Sequence, residues 1–148
     1  MPTTPRKNAI HTHFENLSDD RDLWISRNRA YYDDDRRYTQ FVVAAGARIL
    51  EIGCGTGDLL ARLKPSHGVG VDFSARMVEI AQRKHPDLTF FVGDGEDYDF
   101  ITGLDGPFDY IVLSDTIGYL DDIELVFRSL REITAPHTRL VVAYYSHL

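Results

Sequence analysis

The stretch Ile49-Leu50-Glu51-Ile52-Gly53-Cys54-Gly55-Thr56-Gly57-Asp58-Leu59-Leu60 constrains the fold more than any other part of the chain. An apolar run of strand type enters a Gly-x-Gly-x-Gly turn, and a second apolar-periodic segment leaves it. Glycine accepts positive φ and puts no Cβ between the backbone and a ligand, so a bound molecule can lie directly on such a turn. The helix that follows adds unpaired N–H groups at its start. Glu51 places an acid inside the strand, where a carboxylate is costly without a partner. A bound cation or a set of N–H donors would supply one.

The rest of the chain repeats the strand-then-helix order. Strands are predicted near 48–52, 68–72, 89–92, 110–113 and 139–145, with helices near 57–63, 75–84 and 123–133 and a short one within 97–103. Such alternation indicates an α/β fold, a doubly wound, mostly parallel five-stranded sheet with helices on both faces. Residues 1–20 are polar without sustained periodicity and read as a mobile N-terminal arm or a loosely attached first turn, leaving 21–148 as one core domain. From Asp22 to about Ala45, Leu23, Trp24, Ala30, Tyr31, Tyr38, Phe41 and Val42 recur near helical spacing. Asp33-Asp34-Asp35 marks a break or a second helix start there, since acids favour first turns, and Gly46 ends the region.

Three more motifs sit where strands end. Gly68-Val69-Gly70-Val71-Asp72-Phe73-Ser74 closes an apolar strand on an acid, about twenty residues after the glycine turn. Ser74 then caps a helix with Met77, Val78, Ile80 and Ala81 on its apolar face. Leu88 to Asp97 runs an apolar strand into the acidic loop Gly93-Asp94-Gly95-Glu96-Asp97, and Phe108 to Leu120 opens a strand onto Ser114, Asp115 and Thr116. Ligands in open α/β sheets gather at such carboxyl ends. Glu96 and Asp97 read as solvated loop charges or a helix start.

A dinucleotide fingerprint spaces its glycines Gly-x-Gly-x-x-Gly. Here the third glycine comes one residue early and a carboxylate precedes the first by two. That turn resembles the first motif of the class I S-adenosylmethionine-dependent methyltransferases, and the order and spacing of all four motifs resemble that family from about Ile49 to Tyr145. The resemblance implies that S-adenosylmethionine lies on Glu51, Gly53, Cys54, Gly55 and Gly57. It further implies that Asp72, followed by Phe73, holds its ribose, that Asp94 receives the adenine amine beside Gly95, and that Ser114 faces the donor. Tyr31, in a helix that folds over the cofactor in many relatives, would bond the methionyl carboxylate, with core packing as the alternative. Cys54 reads as a close-packed residue rather than a reactive thiol.

In-line methyl transfer rests largely on alignment, so a recognisable base need not exist. Asp115 and Tyr119, after the fourth strand, are the candidates for proton transfer, against orienting or packing roles. The aromatics Trp24, Tyr31, Tyr32, Tyr38 and Phe41 favour core or lid packing over a cage for a cationic acceptor. His11 and His13 fall in the arm, His67 and His85 in predicted turns facing solvent, and His147 beyond the fifth strand, where it could border the acceptor.

Net charge −7 argues against a nucleic-acid partner. No apolar run approaches a membrane span, the opening Met1 to Lys7 lacks the apolar core of a signal peptide, and one cysteine excludes an internal disulfide. No Cys/His spacing suits a metal, and cytoplasmic residence is the default. The acceptor is expected to be a small molecule or a sugar- or lipid-linked one. Family members continue past the fifth strand with a helix and an antiparallel pair; none follows here, so the expectation is a piece truncated after that strand, or a partner chain covering its edge. A non-catalytic S-adenosylmethionine-binding module is the competing reading. A nicotinamide oxidoreductase fits the glycine spacing and the acidic third motif less well.

Overall fold

The computed structural model describes residues 4–144. Three helices, α1 (Pro5–Leu17), α2 (Arg21–Arg27) and α3 (Arg29–Val42), precede the sheet. Then β1 (Arg48–Ile52), α4 (Asp58–Arg62), β2 (His67–Asp72), α5 (Ala75–Lys84), β3 (Thr89–Val92), α6 (Tyr98–Thr102), β4 (Phe108–Ser114), α7 (Ile123–Glu132) and β5 (Thr134–Ala143) alternate. The five strands pair in the order β3-β2-β1-β4-β5, parallel at every step. Strand order reverses direction at β1, which places the switch point at the carboxyl ends of β1 and β4.

Both sheet faces are covered, which explains the apolar strand runs. Ile49, Val112 and Phe90 turn one way onto Leu59, Leu60, Val78 and Ala81 of α4 and α5. Leu50, Ile52, Val71, Ile111 and Leu113 turn the other way onto Ile101, Val126 and Leu130 of α6 and α7. Ser74, Asp97 and Asp122 each accept a backbone N–H at the start of α5, α6 and α7 and so fix where the strand-end loops become helix.

The structure departs from the sequence reading in its first third and its last strand. Residues 5–17 form a full helix where a mobile arm or a loosely attached first turn is expected; Thr4 caps the helix and Pro5 occupies its first turn. The break between α2 and α3 falls at Asn28, with φ −107° and ψ 31°, and not at the three acids. Asp33, Asp34 and Asp35 continue α3 because Arg29, Arg36 and Arg37 pair with the first two one turn away and Asp35 accepts the Ser114 hydroxyl. β5 starts at Thr134, slips register, and pairs continuously only from Arg139 to Ala143. The expected end of that strand at Tyr145, and His147, lie outside the described residues. Of the aromatic stripe, Trp24 is 56% and Phe41 87% exposed, so neither packs into the core.

Candidate functional site

The carboxyl ends of β1, β2, β3 and β4 border one cavity of about 620 Å³, within the range of small-molecule sites. Gly53, Gly55, Asp72, Phe73, Asp94, Gly95, Ser114, Asp115 and Tyr119 all line it. Residues distant in sequence meet here because a parallel sheet brings every strand end to one rim. The structure adds lining residues that the sequence reading did not assign to a site: Lys7, His13, Phe14 and Leu17 from α1, Arg21 from α2, and Glu96. Thr4-Pro5 was a legible helix start, but nothing local in the sequence says that the helix lies over the strand ends.

The glycines of the turn differ in their reasons. A Cβ on Gly53 would stand 2.8 Å from Thr116 Cγ2, so this glycine is demanded by protein packing, with φ +75° as a second demand. At Gly55, φ is +52° and no atom lies within 4 Å of the Cβ position. The open space above Gly55 faces the cavity. Gly57 caps α4 with φ +80° and does not line it. Cys54 is buried and also off the wall; burial first, then Asp72 and Glu51, push its thiol well above the ordinary range. That is the state of a packing residue.

Asp72 grips the turn as well as facing the cavity. Its two oxygens accept the Gly55 N–H at 2.8 Å and the Ser74 N–H at 2.9 Å. Each carboxylate oxygen keeps a further lone pair. Burial raises the Asp72 pKa, and those two N–H donors oppose the rise. Asp94 accepts the Glu96 N–H at 2.9 Å and pairs with Lys7.

Glu96 corrects its expected place in solvent. It is 3% exposed, accepts the backbone N–H groups of Asp121 and Asp122, and sits 2.6 Å from Lys7. Burial pulls the Lys7 pKa down, but bonds to Asp94 and Glu96 outweigh it and hold the ammonium above its usual value.

Glu51 lies beneath the turn, off the cavity wall. Its Oε2 has no hydrogen-bond partner among the described residues. Burial raises its pKa well above the ordinary carboxyl range; the Leu60 N–H offsets part of this, while Asp72, Asp35 and Asp58 add to it.

Three histidine readings also change. His13 lines the cavity; His67 stacks on Phe108 with its Nε2 buried; His85 bonds Asp58 at 2.9 Å.

The helices before the sheet roof the site. Arg6 donates to Gly118 O and Leu120 O and pairs with Asp121, and Phe14 meets Tyr119 edge-on with ring centroids 5.0 Å apart. Asp22 of α2 accepts from Lys84 and Thr56, both at 2.9 Å. Tyr31 of α3 reaches the end of β4, its hydroxyl 2.9 and 2.8 Å from the two oxygens of Asp115. Asp115 has φ +51°, a left-handed conformation that asparagine and aspartate tolerate better than most residues. Burial first, then Asp35, raise its pKa, against Tyr31 and Arg21.

These residues fit a nucleoside carrying a cationic tail: backbone without Cβ at Gly55, a carboxylate at each of the next two strand ends, and room for both ring systems. Among the described residues no cluster of His, Cys, Asp and Glu could hold a metal, and no helix is long and apolar enough to cross a membrane.

A family model described as "Methyltransferase domain" matches residues 24–147. The chain is 36% identical over 104 residues to the demethylmenaquinone methyltransferase of Beutenbergia cavernae, covering 68% of this chain and 42% of that protein. It is 35% identical over 94 residues to the dTDP-4-amino-2,3,4,6-tetradeoxy-D-glucose N,N-dimethyltransferase of Saccharopolyspora spinosa, covering 60% and 36%. A solved DhpI-SAM-HEP complex shares the fold with TM-score 0.80 at 17% identity, over 99% of this chain and 70% of that one. The chain spans about half the length of the curated relatives it matches, 51% and 49% for two of them.

Proposed function

The chain belongs to the class I S-adenosylmethionine-dependent methyltransferases, and on that premise we propose that it carries a methyl group to a small-molecule acceptor, free or borne on a sugar or lipid. One observation carries the reading. The open face of Gly55 and the carboxylates of Asp72 and Asp94 line a single cavity, in the order the family motifs give them.

S-adenosylmethionine supplies an activated methyl group when bound. The chain's own residues bind and orient. Gly55 lets the ligand rest on the backbone, and the free lone pairs of Asp72 accept from ribose hydroxyls. Asp94 and Gly95 border the adenine, with Lys7 sharing the carboxylate. Ser114 and Asp115 face the reacting end, and α1 with α2 keeps water out. The names of the relatives, which act on a quinone precursor and on an amino sugar, support a small acceptor.

Titration calorimetry with S-adenosylhomocysteine and with NAD tests the donor. The expected result is binding of the first and not the second. Gly55→Val and Asp72→Ala each weaken it by roughly tenfold or more, about 1.4 kcal/mol. Unchanged affinity in both variants removes the assignment. Label transfer from methyl-labelled donor across a metabolite panel separates an enzyme from a binding module.

A further inference from the structure

We propose that the acceptor is an amine, and that the Asp115 carboxylate, steadied by Tyr31, binds its ammonium and takes its proton. The proposal rests on the methyl-transfer reading and adds the acceptor's chemical class.

Four carboxylates line the cavity, and three of them take backbone N–H or ammonium donors from the protein. Asp72 accepts from two backbone N–H groups, and Asp94 and Glu96 share Lys7. Asp115 is the exception. Its side chain accepts from the Tyr31 hydroxyl, whose single proton serves one oxygen at a time and leaves further lone pairs facing the cavity. Arg21 also lines the cavity, but its guanidinium donates to the Tyr32 hydroxyl at 3.2 Å and lies over the Tyr32 ring. The Asp115 backbone N–H is fixed to Ala143 O at 2.8 Å, so β5 holds the residue in its left-handed conformation with the carboxylate at the rim.

Part of the cavity wall is aromatic. Phe14, Trp24, Tyr32 and Tyr119 line the same cavity, and Trp24 and Tyr119 stay 56% and 45% exposed, not withdrawn into the core. Ring faces attract cations. A carboxylate with open lone pairs in a cavity that also presents aromatic rings favours an ammonium over a neutral hydroxyl, which gains only a hydrogen bond.

An ammonium has no lone pair with which to attack. Its N–H bond breaks, an O–H bond forms on Asp115, and the electron pair stays on nitrogen. That pair forms the N–CH3 bond as the donor's S–CH3 bond breaks with its electrons kept by sulfur, which becomes a neutral thioether. The proton then leaves Asp115 for water as product departs. Burial of Asp115 makes its carboxylate a better proton acceptor than an exposed one. Tyr31 acts through Asp115 and is a positioning residue.

The test needs no knowledge of the natural acceptor. Two probes are adenosyl compounds in which nitrogen replaces the sulfonium sulfur and carries a three-carbon arm ending in a primary ammonium or in a hydroxyl. In the wild-type chain the ammonium arm is expected to bind about tenfold more tightly, as charge-assisted pairing allows. That ratio falls to about one in Asp115→Asn and to an intermediate value in Tyr31→Phe, because only the charge-dependent preference is being removed. Damage to folding moves both probes together and cancels in the ratio. Equal affinity for the two arms in wild type, or an undiminished ratio in Asp115→Asn, overturns the proposal while S-adenosylhomocysteine binding still upholds the methyl-transfer reading. Failure to bind S-adenosylhomocysteine overturns the reading beneath it.

Discussion

Glu51 is a buried acid whose cost to the fold depends on pH. A carboxyl sealed under the turn keeps its proton more tightly in the folded chain than in the unfolded one. The native state therefore binds more protons, and this group's contribution is fully present below the ordinary carboxyl range. It is lost as pH rises from there through the raised native value. Glu51→Gln removes the titration while keeping the shape. Its stability is expected to exceed that of the wild type at pH 7, with the gap closing toward pH 4, in urea unfolding followed across that range. A gap that stays constant with pH contradicts the assignment. Glu51 was legible as an anomaly, because an acid two residues before a glycine turn stands out. Its surroundings were not: the orphaned Oε2 exists only once α4 closes over β1. Gly53 and Gly55 look alike in the sequence, yet one is needed for Thr116 and the other opens on the cavity.

Elements whose apolar periodicity is strong were read almost to the residue. β1, β3 and α5 coincide with their predicted bounds, since short apolar strand runs and a helix capped by Ser74 announce themselves locally. α1 was missed because none of its residues is buried and its ties, polar and aromatic, are long-range. Arg6 and Lys7 reach carboxylates and carbonyls more than eighty positions away along the chain. The Arg6 ties are exposed, individually worth about 0–1 kcal/mol, and help hold the helix without adding much to global stability. The variant Arg6→Ala is accordingly expected to raise amide exchange across residues 5–17 by roughly tenfold while shifting the unfolding midpoint little. Hydrogen exchange with mass spectrometry resolves the two; unchanged protection of 5–17 refutes the pinning role.

At the scale of the molecule, the cavity is a product of topology. The sequence named most of its floor, because motifs at strand ends come together wherever a parallel sheet forms. It did not name the roof, because which helix face covers that rim depends on contacts between distant segments. The same topology leaves the outer edge of β5 unpaired among the described residues, with Leu140, Ile123 and Phe127 exposed. Unpaired edges invite association. The 148-residue chain is expected to self-associate as its concentration rises in sedimentation velocity, and Leu140→Lys to shift it toward monomer; concentration-independent sedimentation of both argues otherwise.

Cys54 is the chain's single thiol, sealed by the turn it belongs to. Nature has thus installed a stopwatch in the cradle: an alkylating reagent can reach sulfur only in the moments when the loop lifts, and whatever clamps that loop lengthens the wait.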